Sequence, residues 1–375
     1  MSFGDIAGHQ GTRQVLKRAS LTSRVPHAYL FAGPPNIGKT LVAVEFAKAL
    51  NCEAITDPQT VDDIEPCDEC RACVRIDKGI HPDFLLLQPT THLEADEVDE
   101  MVQMEGAMIR IEQVRDLIER AQFKTNQARR RVFIITGAET MNIPAANAFL
   151  KTLEEPPGDT TLILTTSRPS ELLPTIVSRC QVLHFHPVPT DTAREFLTAH
   201  YPDTRPEQMD AILAMAGGRI GWAIKLLQQP DVLQIREDLL DMCAELADAE
   251  WVESLRAGEM FVDAAERWWL AGNEAEMAEK ALKASRDRVL RTSMSDILDV
   301  LATWFRDLLL LSADPTAEAI VNMDRADQLR QLAPRYQPHK CQAACEHLQT
   351  MHAQLRQNAN LRLAAENLAL RLIVT

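Results

Sequence analysis

The run Gly33-Pro34-Pro35-Asn36-Ile37-Gly38-Lys39-Thr40 constrains this chain most, because it has the phosphate-loop spacing G-x-x-x-x-G-K-[ST]. Before it, Ala28 to Ala32 (AYLFA) reads as a short apolar strand; after it, Leu41 to Leu50 (LVAVEFAKAL) spaces its apolar residues as a helix does. A strand, a glycine loop and a helix N-terminus point backbone N–H groups and the positive end of a helix dipole at a phosphate. Lys39 then serves the terminal phosphates and Thr40 can hold Mg²⁺, so ATP or ADP is the expected ligand class. A chance glycine turn is the competing reading, and it would need neither flank.

Hydrolysis needs a further acidic element, at the end of a later buried strand, to hold the metal and polarise water. The best candidate strand is Arg131-Val132-Phe133-Ile134-Ile135. Thr136-Gly137-Ala138-Glu139 follows it, where an ATPase would place Asp-Glu at once. Glu139 lies three residues along, an offset of several ångströms at a strand tip. The expectation is a nucleotide site with little or no turnover.

Composition sets the class. With 375 residues, 46% hydrophobic and 25% charged, the chain has material for two or three domains with ample cores. No apolar run reaches the roughly 20 residues of a membrane span, and MSFGDIAGHQ lacks the basic and apolar regions of a signal peptide, so a cytoplasmic location is expected. A formal net charge of −15 argues against a broad electrostatic grip on DNA by this chain alone. Its partners should be proteins, or DNA held mainly by other subunits.

Cys67, Cys70 and Cys73 form a tight C-x-x-C-x-x-C cluster in a polar loop, with Cys52 upstream at the end of the helix that follows the phosphate loop. Thiolates two residues apart can grip one tetrahedral ion, and four cysteines make a closed structural Zn²⁺ site. A disulfide framework or a redox pair are the alternatives, both at odds with a cytoplasmic chain lacking thioredoxin context. Cys180, Cys243, Cys341 and Cys345 sit in apolar or helical surroundings and read as small core residues.

Strand-like runs (AYLFA, FLLLQ, RVFIITG, TLILTTS, QVLHFH) alternate with helical stretches to about residue 186, the pattern of an α/β domain with a largely parallel sheet. Ile111 to Phe123 is a plausible helix, as is the stretch from Ala145 that two prolines, Pro156 and Pro157, stop. The acidic stretch from His92 to Glu105 reads as a solvated loop. Pro187-Val188-Pro189 marks a boundary, a compact helical unit broken by Gly217-Gly218 follows, and amphipathic helices run from beyond Gln229-Pro230 to the end. Trp251, Trp268, Trp269 and Trp304 in that last part read as core or interface anchors.

Phe3-Gly4-Asp5-Ile6-Ala7-Gly8-His9-Gln10, the phosphate loop, the cysteines, the stretch Asn147 to Pro157 (NAFLKTLEEPP) and Ser178-Arg179-Cys180 occur in the order seen in bacterial sliding-clamp-loader subunits of the AAA+ class, which the chain resembles over roughly residues 3–225. The closing NLRLAAENL is similar to that family's collar domain. The resemblance implies an α/β P-loop AAA+ domain over 1–186 with an inserted zinc module at about 52–73. A small helical lid over 187–230 and an all-helical collar over 231–375 would follow. It makes Cys52 the fourth zinc ligand.

Two subunit types of the family must be told apart. The gamma/tau motor carries Asp-Glu after its Walker B strand and an arginine in its lid; Thr136-Gly137 and Gly221 hold those positions here, and Arg219 falls two residues away, on the wrong helix face. Both departures look like the delta-prime subunit. The intact phosphate loop is a feature that delta-prime subunits often lack, and it keeps nucleotide binding open. The resemblance implies a hetero-pentamer with motor and delta subunits that loads a sliding clamp onto primed DNA. Arg179 would act in trans as an arginine finger on a neighbour's γ-phosphate; a surface arginine in a salt bridge is the plain alternative. A motor ATPase of the same family, or an unrelated P-loop enzyme with a zinc module, are the other readings.

Overall fold

A computed structural model describes residues 3–90, 108–122, 125, 127–156, 158–246, 254–271, 275–357 and 359–374. The acidic stretch from His92 to Glu105 and Trp251 lie outside the described residues. The chain forms two compact units: the first comprises Met1–Thr91, Ala107–Phe196 and Gly218–Trp222, the second Leu197–Gly217 and Ala223–Thr375. The segment expected as a lid is shared between them.

In the first unit, β1 (Ala28–Ala32), β2 (Phe84–Leu87), β3 (Arg131–Ile135), β4 (Thr160–Thr166) and β5 (Gln181–His184) form a sheet of order β2-β3-β4-β1-β5. Every pairing is parallel, with Leu30 beside Leu164 and Val182, and Phe133 beside Leu162. All residues of β1, β3 and β4 are buried, as expected for strands covered on both faces. The two-residue alternation of a strand sorts them. Tyr29, Phe31, Val132, Ile134 and Ile163 pack with Leu16 of α1 (Gln10–Leu21) and Phe46 of α2 (Lys39–Asn51), while Leu30, Phe133, Leu162 and Leu164 pack with Leu117 of α4 (Ile111–Gln122) and Phe149 of α5 (Ile143–Glu154). A seven-residue α3 (Arg71–Asp77) closes the cysteine loop.

Local chemistry sets the ends of these helices. The Asn142 side chain accepts from the Ala145 N–H at 2.8 Å and so caps α5, which stops before Pro156. A short α6 (Pro174–Val177) leads into the edge strand β5. Beyond β5 come α7 (Thr190–His200), α8 (Pro206–Ala216) and α9 (Ile220–Gln228), with Gly217 and Gly218 between the last two at φ 55° and 79°. Gly218 is required for a second reason: a Cβ there would lie 2.5 Å from the Val188 carbonyl oxygen.

The second unit is helical: α10 (Pro230–Glu245), α11 (Ser254–Ala271), a 39-residue α12 (Ala275–Ala313), α13 (Ala326–Leu332), α14 (Pro338–Arg356) and α15 (Leu361–Val374). α12 packs against α11 and α14, and α15 against α11. At that last contact a Cβ on Gly258 would meet the Glu366 Cα at 2.8 Å, so the two backbones touch. Trp268, Trp269 and Trp304 are buried, as their sequence setting predicts, and Trp268 donates its indole N–H to Asp296 at 3.1 Å. Arg236 is buried against Asp324 and Asn322. Cys243 and Cys341 are core residues, and Cys180 and Cys345 are partly buried. Among the described residues no helix is long and apolar enough to cross a membrane.

Candidate functional site

The carboxyl ends of β1, β3 and β4 meet around the phosphate loop, the position where parallel α/β sheets hold ligands. The loop leaves β1 with the Gly33 N–H donating to the Thr166 carbonyl at 3.2 Å. Gly33 has no room for a side chain, since a Cβ would lie 2.4 Å from the Phe185 carbonyl oxygen. Pro34 and Pro35 follow, Asn36 takes a left-handed φ of 56°, and Ile37 is buried. Gly38, at φ 101°, caps α2, whose first residues are Lys39 and Thr40. The eight loop residues predicted to bind phosphate thus form one strand-to-helix turn.

Lys39 is buried, and its ammonium donates to the carbonyls of Gly33 at 2.7 Å and Pro34 at 2.6 Å. Burial lowers its pKa to about 8, against the opposing charge of Glu139. Two residues without an assigned role in the sequence reading also touch this end of the sheet. His9, at φ 54°, is bonded through Nε2 to the Ile37 carbonyl at 2.8 Å and rests on the Phe185 ring; burial depresses its pKa. Glu139 accepts from the Ser167 N–H at 3.1 Å and hydroxyl at 2.7 Å. The signal for Glu139 was present as an acidic residue near the end of β3, but its reach depends on the 3₁₀ turn Ala138–Thr140. Thr136 is buried and donates its hydroxyl to the Leu87 carbonyl at 3.3 Å.

At the start of α9, the Gly221 N–H donates to the Asn36 carbonyl at 2.9 Å, and a Cβ at Gly221 would lie 2.9 Å from that same oxygen. The helix start meets the phosphate loop backbone to backbone, so Gly221, the position where the resemblance puts a motor's lid arginine, has no room for a side chain. Arg219 lies over the Trp222 ring, 5.8 Å from its centroid.

The other end of α2 carries the cysteines. Cys52 follows the helix and Cys70 caps α3, and the sulfurs of Cys52, Cys67, Cys70 and Cys73 all lie within 4.8 Å of one another. Backbone N–H groups point at the sulfurs: Cys67 to Cys52 at 3.4 Å, Cys70 to Cys67 at 3.3 Å, Cys73 to Cys70 at 3.5 Å. Four convergent sulfurs from spaced pairs fit a tetrahedral Zn²⁺. Lys48, fully buried in the last turn of α2, ties the module down through Glu45 at 2.7 Å, Asp68 at 2.6 Å and Asp77 at 3.1 Å.

Arg179 sits on the turn between α6 and β5. Its guanidinium donates to the Thr175 carbonyl at 2.9 Å and to Glu154 at 2.5 Å, and its side chain remains 34% exposed. The ion pair of the plain reading is therefore present, on the side of the sheet edge.

Comparison with known proteins places these features in a family. A family model described as "DNA polymerase III, delta subunit" matches residues 8–189, and a second, "DNA polymerase III, delta subunit, C terminal", matches residues 284–373. The chain belongs to the delta'/tau family of DNA polymerase III subunits. The chain is 40% identical over 193 residues to the DNA polymerase III subunit delta' of Pseudomonas aeruginosa, covering 51% of this chain and 53% of that protein. It is 32% identical over 219 residues to the delta' subunit of Bacillus subtilis (58% and 59% covered), and 28% identical over 335 residues to the tau subunit of that organism (87% and 53%). The chain thus spans between half and three-fifths of the length of these relatives. The first unit is thus an α/β domain with a phosphate loop on a parallel five-stranded sheet, and the C-terminal part of the chain is helical.

Proposed function

We propose that this chain is the delta-prime-like member of a DNA polymerase III clamp loader, assembling with gamma/tau motor subunits and delta into a hetero-pentamer that loads the sliding clamp onto primed DNA. Its own ATP turnover is weak or absent, and Arg179 completes a neighbouring motor subunit's site. The observation that carries this reading is the end of β3. Thr136 spends its hydroxyl on a backbone carbonyl and Gly137 has no side chain, so neither the metal carboxylate nor the adjacent base stands in its usual place. Arg179, by contrast, lies half-exposed beside the edge strand β5, where a subunit packed on that edge would meet it. Exchange of Glu154 for a γ-phosphate would keep the guanidinium's charge-assisted pairing.

In this reading the parts are an AAA+ domain over 1–186, a lid over 187–230 and a collar over 231–375. Cys52, Cys67, Cys70 and Cys73 hold one structural Zn²⁺. Gly33 through Thr40 receive ATP or ADP with Mg²⁺, Lys39 supplying positive charge to the terminal phosphates and the Gly38–Thr40 turn its N–H groups. The similarity to tau and the complete phosphate loop favour a second reading, a motor ATPase of the same loader. Turnover decides between them. The purified chain should show no Mg²⁺-dependent ATP hydrolysis alone, yet co-elute with tau-type motor subunits in size-exclusion chromatography. Hydrolysis by the chain alone supports the motor; failure to co-elute removes both.

A further inference from the structure

The Thr166 carbonyl accepts the first N–H of the phosphate loop, and the very next residue, Ser167, holds Glu139 through its N–H and hydroxyl. The two contacts fix the Glu139 carboxyl group at the end of β4, the strand beside β1, within electrostatic reach of Lys39 of the phosphate loop. Both Ser167 bonds go to Oε1. Oε2 is closed off from solvent and has no hydrogen-bond partner among the described residues, in a side chain only 4% exposed. Arg168 approaches Oε1 no nearer than 3.8 Å.

We propose that Glu139 is the cation-facing carboxylate of the phosphate loop, so that the loop takes a divalent-cation complex of a nucleoside triphosphate through a residue three positions beyond the usual one. The charge state agrees: burial opposes ionisation, but hydrogen bonding from Ser167, from its own backbone N–H and from the Thr166 side chain together outweighs it and holds the Glu139 carboxyl below the usual carboxylate range. An ionised oxygen buried without a donor is costly, and a cation relieves that cost. Lys39 feels this carboxylate but already bonds to the Gly33 and Pro34 carbonyls. A hydrated Mg²⁺ needs only one or two protein oxygens besides phosphate, which matches Glu139 Oε2 with the Thr40 hydroxyl. With Thr136 and Gly137 in place of the strand-end acids that would activate water, such a site holds the complex and does not turn it over.

The reading concerns this chain's own loop and stands whether or not it assembles with motor subunits. Its test is Mn²⁺ binding, followed by electron paramagnetic resonance, to the full chain with a non-hydrolysable ATP analogue. Glu139→Gln, which still accepts from Ser167, should weaken Mn²⁺ binding at least tenfold and leave the analogue's affinity in EDTA within twofold. Glu139→Asp, which withdraws the carboxylate by one methylene, should fall between. The proposal is overturned if Glu139→Gln binds Mn²⁺ as the parent does, if the parent binds the analogue equally well with and without the cation, or if it does not bind the analogue at all. Coincident thermal melts of parent and Asp variant keep the comparison meaningful should the Gln variant be unstable.

Discussion

The two ends of α2 present opposite solutions to one problem, placing charge at a helix terminus. At the N-terminus, the helix dipole, the loop N–H groups and Lys39 all favour an anion. At the C-terminus the same dipole is unfavourable to the thiolates gathered there. Lys48 in the last turn, paired with Glu45, Asp68 and Asp77, offsets it together with the metal that four sulfurs would share. The cysteine end is complete within the chain, every ligand lying in a 22-residue stretch. The phosphate end is incomplete: Thr136 and Gly137 stand where a strand-end carboxylate would, one oxygen of Glu139 has no hydrogen-bond partner among the described residues, and Arg179 lies partly exposed beside the edge strand. On the proposed function, the region that must hold by itself is closed, and the region that would work in an assembly is left open.

The comparison breaks first at the metal. Protein purified without added zinc should carry about one equivalent, and Cys70→Ser should lose it along with several kcal/mol of stability, moving Tm by roughly 10 °C. Metal analysis with a thermal melt checks this; less than a quarter equivalent in folded parent protein contradicts it. A smaller effect is expected where α9 meets the loop. Gly221→Arg restores the motor's residue type but drives a Cβ to 2.9 Å from the Asn36 carbonyl oxygen, so it should cost roughly 1–3 kcal/mol and confer no turnover. A chemical melt and an ATPase assay report the two halves.

The smallest effect is in pH. Lys39 binds phosphate as the ammonium and its pKa is about 8, lowered by burial from the ordinary lysine value near 10.4. Nucleotide affinity should therefore be flat below pH 8 and weaken up to tenfold per unit above it. The sign for stability is opposite. Between about pH 8 and the unfolded value the unfolded chain binds the extra proton, so this group's penalty on folding is relieved as pH rises. Titration of a fluorescent nucleotide from pH 7 to 9.5 would check the first, and Lys39→Arg should flatten the profile.

Sequence showed the frame of this fold because its signals are local. Five apolar runs became the five parallel strands, the loop spacing became the strand-to-helix turn, and C-x-x-C-x-x-C with Cys52 converged as spacing predicts. What stayed hidden depends on residues distant in the chain. That Glu139 reaches Ser167, that Gly221 must lack a side chain because Asn36 lies against it, and that Lys48 pins the cysteine module are contacts over 20 to 185 residues of sequence. No periodicity encodes them.

The account rests most on Arg179 acting for a neighbour. The direct test is an assembled loader carrying Arg179→Ala in this chain, assayed for clamp- and DNA-stimulated ATP hydrolysis. An arginine paired with one partly exposed glutamate contributes within about 1 kcal/mol to stability, so folding and assembly should be retained. Hydrolysis at the one site it serves should fall by on the order of 10³-fold, lowering the total by that site's share, while nucleotide affinity there changes far less. Unchanged hydrolysis and clamp loading by the variant complex would contradict the account, leaving Arg179 as the partner of Glu154 and nothing more.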